Sequence, residues 1–423
     1  MKMENFGLAI QDSDTALSLD GEYIKAFYRR GSANLVLGKH EEALKDFKEV
    51  VKMHPKDKDA RKKFDECQKA IRSAKFAAAI SMEHDKRSAF ENVDFETMVV
   101  EPEYDGPHLE NGKVTLEFVQ KLVEHFKNQK NLHKKYCWQI LVEVKKFFEK
   151  QPNIVDVPIK ENDKITVCGD VHGQYYDLLN IFSLNGYPSE KNQYLFNGDF
   201  VDRGSFSCEV IILFFAYKLL YPSNFFMARG NHESRAMNKI YGFEGEVKHK
   251  YPSVPFEAFA EVFDNLPLAH IIGEKIYVVH GGLFGEDGVL INDIQTLNRK
   301  MEPPSGGLMA DMLWADPQMG PGWAPSKRGV GKSFGPDVTK RFLTSNNLSL
   351  VIRSHEVKTK GYQVEQGGLL VTLFSAPNYC DQVGNMGAFA VITDDLIPQY
   401  TSFAHVPHPN VPPMAYASPL FGL

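Results

Sequence analysis

The sequence predicts a short helical repeat segment followed by a larger α/β domain. Residues up to about 82 are rich in Ala, Lys and Glu, nearly free of Pro, and apolar at helical spacing. From about residue 114 onward, short apolar runs that end in Gly-rich turns alternate with longer helix-period segments, the pattern of strands interleaved with helices. At 423 residues the chain is also longer than one core usually holds, about 250–300 residues.

Taken in order, residues 24 to 57 fit one tetratricopeptide unit. Phe27, Gly31, Gly38, Ala43, Phe47 and Pro55 stand where a helix pair needs a knob, a small contact, a turn, a second small contact, a second knob and a stop. Ala9 and Ala16 repeat that register about 34 residues earlier, so residues 1 to 20 read as the second helix of a preceding repeat. Residues 58 to 82, with Ala60, Phe64, Cys67 and Ile71 on one face, read as a capping helix that closes a partial repeat domain over 1–82. Residues 83 to 112 carry Glu91, Asp94, Glu96, Glu101, Glu103 and Asp105 without periodicity, together with Pro102, Gly106 and Pro107. They are expected to form a linker, ordered where Phe90 or Phe95 packs. Helices over about 114–128 and 131–150 then open an α/β domain spanning 113–410, and residues 411–423 form a tail.

Within that domain, five apolar runs end in polar motifs. Ile165–Cys168 leads into Gly169-Asp170-Val171-His172-Gly173, Tyr194–Phe196 into Gly198-Asp199-Phe200-Val201-Asp202-Arg203-Gly204, and Phe225–Met227 into Arg229-Gly230-Asn231-His232-Glu233. Further on, Lys275–Val279 runs into His280-Gly281-Gly282, and Leu348–Ile352 into Arg353-Ser354-His355-Glu356. Buried strands ending in Asp, His and Asn bring oxygen and nitrogen donors to one sheet edge, which is how a chain builds a metal site between strand ends. The candidate ligands are Asp170, His172, Asp199, Asn231, His280 and His355. One ion needs four to six donors, so this set suits two ions if Asp199, midway in the series, bridges them. Carboxylate, imidazole and amide oxygen together suit Mn, Fe or Zn better than Ca or Mg, and the thiolates of a structural zinc site are missing.

Two ions about 3.5–4 Å apart acidify a bridging water and hold phosphoryl oxygens for in-line attack. Phosphate ester hydrolysis also needs positive charge on the equatorial oxygens and a proton for the leaving group. Arg203, inside the second motif, and Arg328, in the Ser326–Val330 loop, are candidates for the first task, because a guanidinium fork matches two phosphate oxygens. His232 is placed to protonate a departing alkoxide, with Asp202 as the carboxylate that orients it.

On these residues the block from roughly 100 to 410 resembles the catalytic domain of the phosphoprotein phosphatase family of Ser/Thr phosphatases. The motifs already given, with Ser375-Ala376-Pro377-Asn378-Tyr379-Cys380-Asp381, occur in that family's order. The resemblance implies a metallophosphoesterase fold, a central β-sandwich flanked by helices with the metals at the sheet edge. It implies hydrolysis of phosphoserine and phosphothreonine in proteins by direct attack of a metal-bridging hydroxide. Asp170, His172 and Asp199 would hold one ion, and Asp199, Asn231, His280 and His355 the other. Arg203, Arg328, Asn231 and Tyr379 would surround the phosphate, and His232 with Asp202 would be the proton-donor pair. Unaided, Tyr379 reads only as a turn aromatic.

The repeat segment, together with Tyr241–Glu246 and Lys327–Gly329, resembles the repeat-bearing subtype of the family. There the repeats bind the acidic C-terminal peptide of an Hsp90-type chaperone and also fold over the catalytic cleft. Lys25 and Arg29, one turn apart, match carboxylate-binding positions, although on spacing alone they form an ordinary solvated basic face. About one and a half repeats of the family pattern are missing here, and three are needed to bury a stable superhelix. The chaperone clamp is therefore expected to be incomplete, and the basal activity higher than with all repeats. Met414–Ala417 matches the family, whereas Pro419 would break the short apolar helix expected after it.

The net charge of −6 gives no general basic field and argues against nucleic acid as a partner. Cys67, Cys137, Cys168, Cys208 and Cys380 are scattered, without a CxxC pair, which suits a reducing compartment; a cytosolic or nuclear location is expected. No signal peptide and no apolar run of transmembrane length are visible, the segment from Val210 to Leu220 being short and interrupted by Lys218. A phosphatase using cysteine is excluded, as no Cys is followed six residues later by Arg. Two rivals stay open: a dinuclear phosphoesterase of nucleotides or small diesters, which the first three motifs alone would permit, and a scaffold with a dead catalytic domain. The Ser326–Val330 and Ser375–Asp381 loops favour the protein phosphatase, and the complete ligand set disfavours the scaffold.

Overall fold

In the helical segment, apolar faces at 3.6-residue spacing pack four helices side by side: α1 (Phe6–Leu19), α2 (Ile24–Val36), α3 (His40–Met53) and α4 (Lys58–Ile80). The computed structural model describes residues 4–80, 88–91, 93–95 and 97–417, with the backbone alone over 73–80. Gly31 has to be small, since a β-carbon there would lie 3.0 Å from Asp46 Cβ and 3.3 Å from the Phe47 ring. Phe47 is fully buried and meets Tyr28 edge-on at 5.9 Å. Gly38 turns the chain between α2 and α3 with φ of 70°. Arg30 ties three helices by pairing with Asp14 at 2.5 Å and Asp46 at 2.7 Å. These helices and the segment Ala324–Lys332 make one compact unit, and Ser88–Trp323 with Ser333–Ala417 make a second.

The second unit begins with irregular chain in which Phe90 and Phe95 pack, partly buried, on the apolar core. The helices α5 (Leu116–Lys127) and α6 (Lys134–Glu149) start later than the apolar pattern suggests. Thr115 Oγ1 caps α5 by accepting from Phe118 N at 3.2 Å, and His133 Nδ1 caps α6 by accepting from Lys135 N at 3.2 Å.

There follow β1 (Ile154–Val157), β2 (Lys164–Cys168), α7 (Tyr175–Asn185), β3 (Gln193–Phe196), α8 (Ser207–Leu220), β4 (Phe225–Met227), α9 (Arg235–Tyr241), α10 (Phe243–Lys250), α11 (Phe256–Asp264), β5 (Ala269–Ile272) and β6 (Ile276–Val279). The short helices α12 (Ile291–Gln295) and α13 (Leu308–Trp314) precede a ribbon of β7 (Trp323–Pro325) and β8 (Lys332–Phe334). The unit closes with α14 (Pro336–Ser345), β9 (Leu350–Arg353), β10 (Tyr362–Glu365), β11 (Leu370–Leu373), β12 (Gly387–Thr393) and β13 (Gln399–Phe403). The strand expected from Leu348 starts two residues later, because Leu348 N and Ser349 N bond back to Leu343 O and Lys275 O and close the preceding loop.

Two mixed sheets result, ordered β1-β5-β6-β9-β11-β10 and β13-β12-β2-β3-β4. Val167, Leu195, Ile276, Val278, Ile352, Val371 and Ile392 come from both sheets and fill the space between them. Burying each such side chain contributes about 1.5–3 kcal/mol. Helices α5 to α8 cover the outer face of the smaller sheet through Phe196, Phe214 and Phe225. Strands β2, β3 and β4 run parallel, as do β6 and β9, so the motif that follows each lies at a carboxyl end. The tail after Ala417, including Pro419, lies outside the described residues.

Candidate active site

Asp170, His172, Asp199, Asn231, His280 and His355 converge at those strand ends, all buried. His172 Nε2 lies 3.6 Å from Asp170 Oδ2 and 3.5 Å from Asp199 Oδ2. On the other side of Asp199, its Oδ2 is 3.2 Å from His280 Nε2, which is 3.2 Å from His355 Nδ1. Asp170 reaches across to this second group by accepting from His355 N at 3.0 Å. Two sets of donors, His172–Asp199–His232 and Asp199–His280–His355, are each close enough to share an ion, and Asp199 belongs to both.

The imidazoles are arranged for this. His172 Nδ1 bonds to Val201 O at 3.0 Å and His280 Nδ1 to Asn197 O at 2.8 Å. A carbonyl only accepts, so in both rings Nδ1 carries a proton and Nε2 is the nitrogen turned to the centre. The Asn231 amide lies 3.0 Å from Nε2 of His280 and also faces Asp199. Oxygen and nitrogen lone pairs that face one another at such distances suit a cation between them, and the residues present fit a pair of divalent ions. His172, Asp199 and His355 all have left-handed backbone, with φ of 47°, 51° and 69°. Non-glycine residues hold that conformation only where the surroundings impose it.

The electrostatics follow from burial and neighbours. Burial opposes the charge on Asp199, but His280, His232 and His172 outweigh it and hold the carboxyl below its ordinary range. Burial likewise opposes protonation of His280, while Asp199 raises its pKa overall.

Beside the candidate ligands, His232 Nδ1 bonds to Asp202 Oδ2 at 2.8 Å, and its ring meets that of His172 edge-on at 4.7 Å. Arg203 is buried with its guanidinium 3.7 Å above the Tyr241 ring, stacked and oriented. Tyr379, half-buried, has its ring 5.1 Å from that of His172. Arg328 is in the Ala324–Lys332 segment of the helical unit, where it is buried and pairs with Glu4 at 3.2 Å. Lys25 and Arg29 lie exposed on α2.

Sequence reasoning passed over Glu233. Its carboxylate accepts from Asp199 N, Phe200 N and Gly230 N, each at 2.8 Å, and so braces two ligand loops against each other. Burial and the nearby Asp199 push its pKa up to about 7. The available signal was its place as last residue of the third motif. Asn238, which donates to Asp202 Oδ2 at 2.9 Å and to His232 O at 2.6 Å, carries no signal at all.

A β-sandwich with this donor set at its strand ends defines a metallophosphoesterase. A family profile described as Calcineurin-like phosphoesterase matches residues 163–359, and one described as PPP5 TPR repeat region matches residues 64–156. Human Serine/threonine-protein phosphatase 5 is 54% identical over 100% of this chain and 85% of its own length. Serine/threonine-protein phosphatase T of Trypanosoma brucei brucei is 52% identical, with 100% of this chain and 89% of its own length covered. A solved structure of a protein serine/threonine phosphatase from Saccharomyces cerevisiae with similarity to human phosphatase PP5 has a TM-score of 0.69 and 46% identity, covering 71% of this chain and 100% of that one. The chain belongs to the serine/threonine-protein phosphatase 5 family.

Proposed function

We propose that this chain hydrolyses phosphoserine and phosphothreonine in protein substrates. The observation that carries the reading is the pair of imidazoles, His172 and His280, locked by backbone carbonyls so that both present Nε2 to the Asp199 carboxylate. Asp170, His172 and Asp199 would hold one divalent ion, and Asp199, Asn231, His280 and His355 the other, with Mn, or Fe and Zn in the cell, as the metals. Such a pair supplies an acidified water as nucleophile and neutralises phosphoryl oxygens.

The remaining steps fall to the protein. Arg203, held over Tyr241, offers a fork to two phosphate oxygens, and Asn231 and Tyr379 complete the phosphate contacts within the same unit. His232, oriented by Asp202 through Nδ1, gives a proton to the serine or threonine alkoxide as it leaves.

The experiment is Mn-dependent release of phosphate from a phosphothreonine peptide, compared with turnover of a nucleotide diester. Preference for the peptide, with activity lost in Asp199→Asn and His232→Asn, is the expected result. Preference for the diester would move the chain to the small-molecule phosphoesterases, and no activity with metal bound, even in a chain starting near residue 100, would support the scaffold.

The repeats are proposed to regulate activity and to bind partner peptides, as in the Hsp90-type clamp of the family. Exposed Lys25 and Arg29 on α2 support this, and titration of an acidic chaperone C-terminal peptide into parent and Lys25→Ala protein tests it. A cytosolic or nuclear location is supported by an odd number of dispersed cysteines without a CxxC pair. No helix among the described residues is long and apolar enough to cross a membrane.

A further inference from the structure

The turn that carries Asp202 and Arg203 is strained and is held from outside. Both residues have left-handed backbone, with φ of 71° and 68°. Local bonds account for part of the restraint: Arg203 N donates to Tyr241 O at 3.1 Å, Gly204 N to His172 O at 2.8 Å, and Asp202 N to Ser207 Oγ at 3.1 Å.

A further grip comes from a charged side chain that the chemistry does not use. Lys250, the last residue of α10, donates from Nζ to Ser205 O at 3.0 Å, to Glu209 at 2.7 and 2.8 Å, and to Glu246 at 2.8 Å. The Lys250 side chain is 10% exposed, and those of Glu209 and Glu246 are 4% and 1% exposed. Glu246 in turn accepts from Ser207 N at 3.1 Å and Cys208 N at 2.8 Å. These are the first residues of α8, where free N–H groups and the helix dipole favour an anion. Two carboxylates and one ammonium buried together are tolerated only when the network is complete. Here it is complete, and it pins the carbonyl two residues after Arg203 and the helix start just beyond.

We propose that Lys250 is a positioning residue for phosphate recognition. Through Ser205 and Glu246 it fixes the pose of the Asp202–Arg203 turn, and thereby the affinity of the site for the phosphate group. The inference rests on the reading of Arg203 as a phosphate ligand. A second brace from the C-terminal segment, Met414 N to Arg203 O at 2.7 Å and Ser205 Oγ to Pro412 O at 2.7 Å, makes the expected effect of losing Lys250 partial rather than total.

The test uses the full-length chain and inorganic phosphate as competitive inhibitor, with Mn affinity measured by calorimetry on the same proteins. Lys250→Met is expected to raise the phosphate inhibition constant and KM about tenfold, with a smaller change in kcat and unchanged Mn affinity. Because Lys250→Met leaves two buried carboxylates without their cation, Glu209→Gln/Lys250→Met is the second variant. It removes one of those charges and still lacks the bond to Ser205, so it is expected to keep the weakened phosphate binding. Parent-like phosphate binding in the stable double variant would show that Lys250 only balances charge, and would overturn the proposal. Equal loss of Mn and phosphate affinity would mean general loosening and overturn it too. Arg203→Lys separates the two levels of the argument. If it leaves phosphate inhibition unchanged, the reading of Arg203 fails; if it weakens inhibition while both Lys250 variants do not, only the positioning role fails.

Discussion

Asp202 holds His232 through a 2.8 Å bond to Nδ1, and the same carboxylate accepts from Phe243 N and from Asn238 Nδ2, each at 2.9 Å. Three hydrogen bonds therefore aim the carboxylate, which has no exposure. A carboxylate fixed in this way fixes the imidazole tautomer.

The first prediction follows from that fixed tautomer. His232→Asn is expected to lower kcat by about 10²–10⁴-fold, the usual worth of a positioned general acid, with a small change in KM. Asp202→Asn presents either an amide N–H or a weaker acceptor to Nδ1 and is expected to fall in the same range. The two losses should not add, because both remove one proton donor. Steady-state kinetics on a phosphothreonine peptide with the single and double variants checks this, and additive losses would separate the two roles.

The second prediction concerns Asp199, which lies 3.5 Å from His172 and 3.2 Å from His280 and so belongs to both donor groups. Asp199→Asn is expected to abolish tight binding at both positions rather than one. Calorimetric titration of Mn into chelator-stripped protein should give two bound ions for the parent and none with comparable affinity for the variant. A variant that still takes up one ion tightly would mean that Asp199 serves a single position.

Much of this site was legible because its residues follow a local rule: an apolar run ends, a polar donor follows, and a glycine turns the chain. Asp170, Asp199, Asn231 and His280 each obey it, so their convergence needed only the assumption of one sheet edge. Glu233 and Lys250 were not legible, since both act on backbone groups far away in sequence: Glu233 on Asp199 N, and Lys250 on Ser205 O. A backbone N–H has no sequence signature. The start of α6 was missed for a similar reason, because a histidine cap resembles any other histidine in a charged stretch. The pairing of Arg328 with Glu4 joins residues 324 apart in sequence, and no periodicity reports it.

The third prediction uses a close approach between ligand loops. A β-carbon on Gly230 would stand 2.2 Å from Asp199 Oδ1 and 2.4 Å from Asp199 N. Backbone cannot give way as a flexible side chain does, so Gly230→Ala has to push the two loops apart. The expected cost is about 1–3 kcal/mol of stability, typical of overpacking in a close-packed interior. Mn affinity should fall at the same time. A thermal scan with and without Mn distinguishes this from simple destabilisation, because the stabilising shift that Mn gives the parent should shrink in the variant.

The fourth prediction is a pH dependence of stability set by Lys218. Its Nζ lies inside the core, donating to Pro222 O at 2.8 Å and Phe225 O at 2.7 Å, with the Phe147 and Phe226 rings at 4.6 and 5.1 Å. Burial pushes its pKa down to about 7 from 10.5. Below pH 7 the ammonium is charged in both states, and the folded protein bears the full cost of burying it. Between about 7 and 10.5 the folded amine is neutral while the unfolded one still carries its proton, so the unfolded state binds more protons and stability rises with pH. The slope is at most about 1.4 kcal/mol per pH unit. Lys218→Met removes this proton and its slope. Relative to the variant, the parent should therefore gain in midpoint temperature from pH 7 to pH 9, and the gap between them should stay flat from pH 5.5 to pH 6.5. A gap that does not move across the upper window would place the ammonium's folded pKa near its ordinary value and assign the stabilisation at this position to the two carbonyl bonds alone.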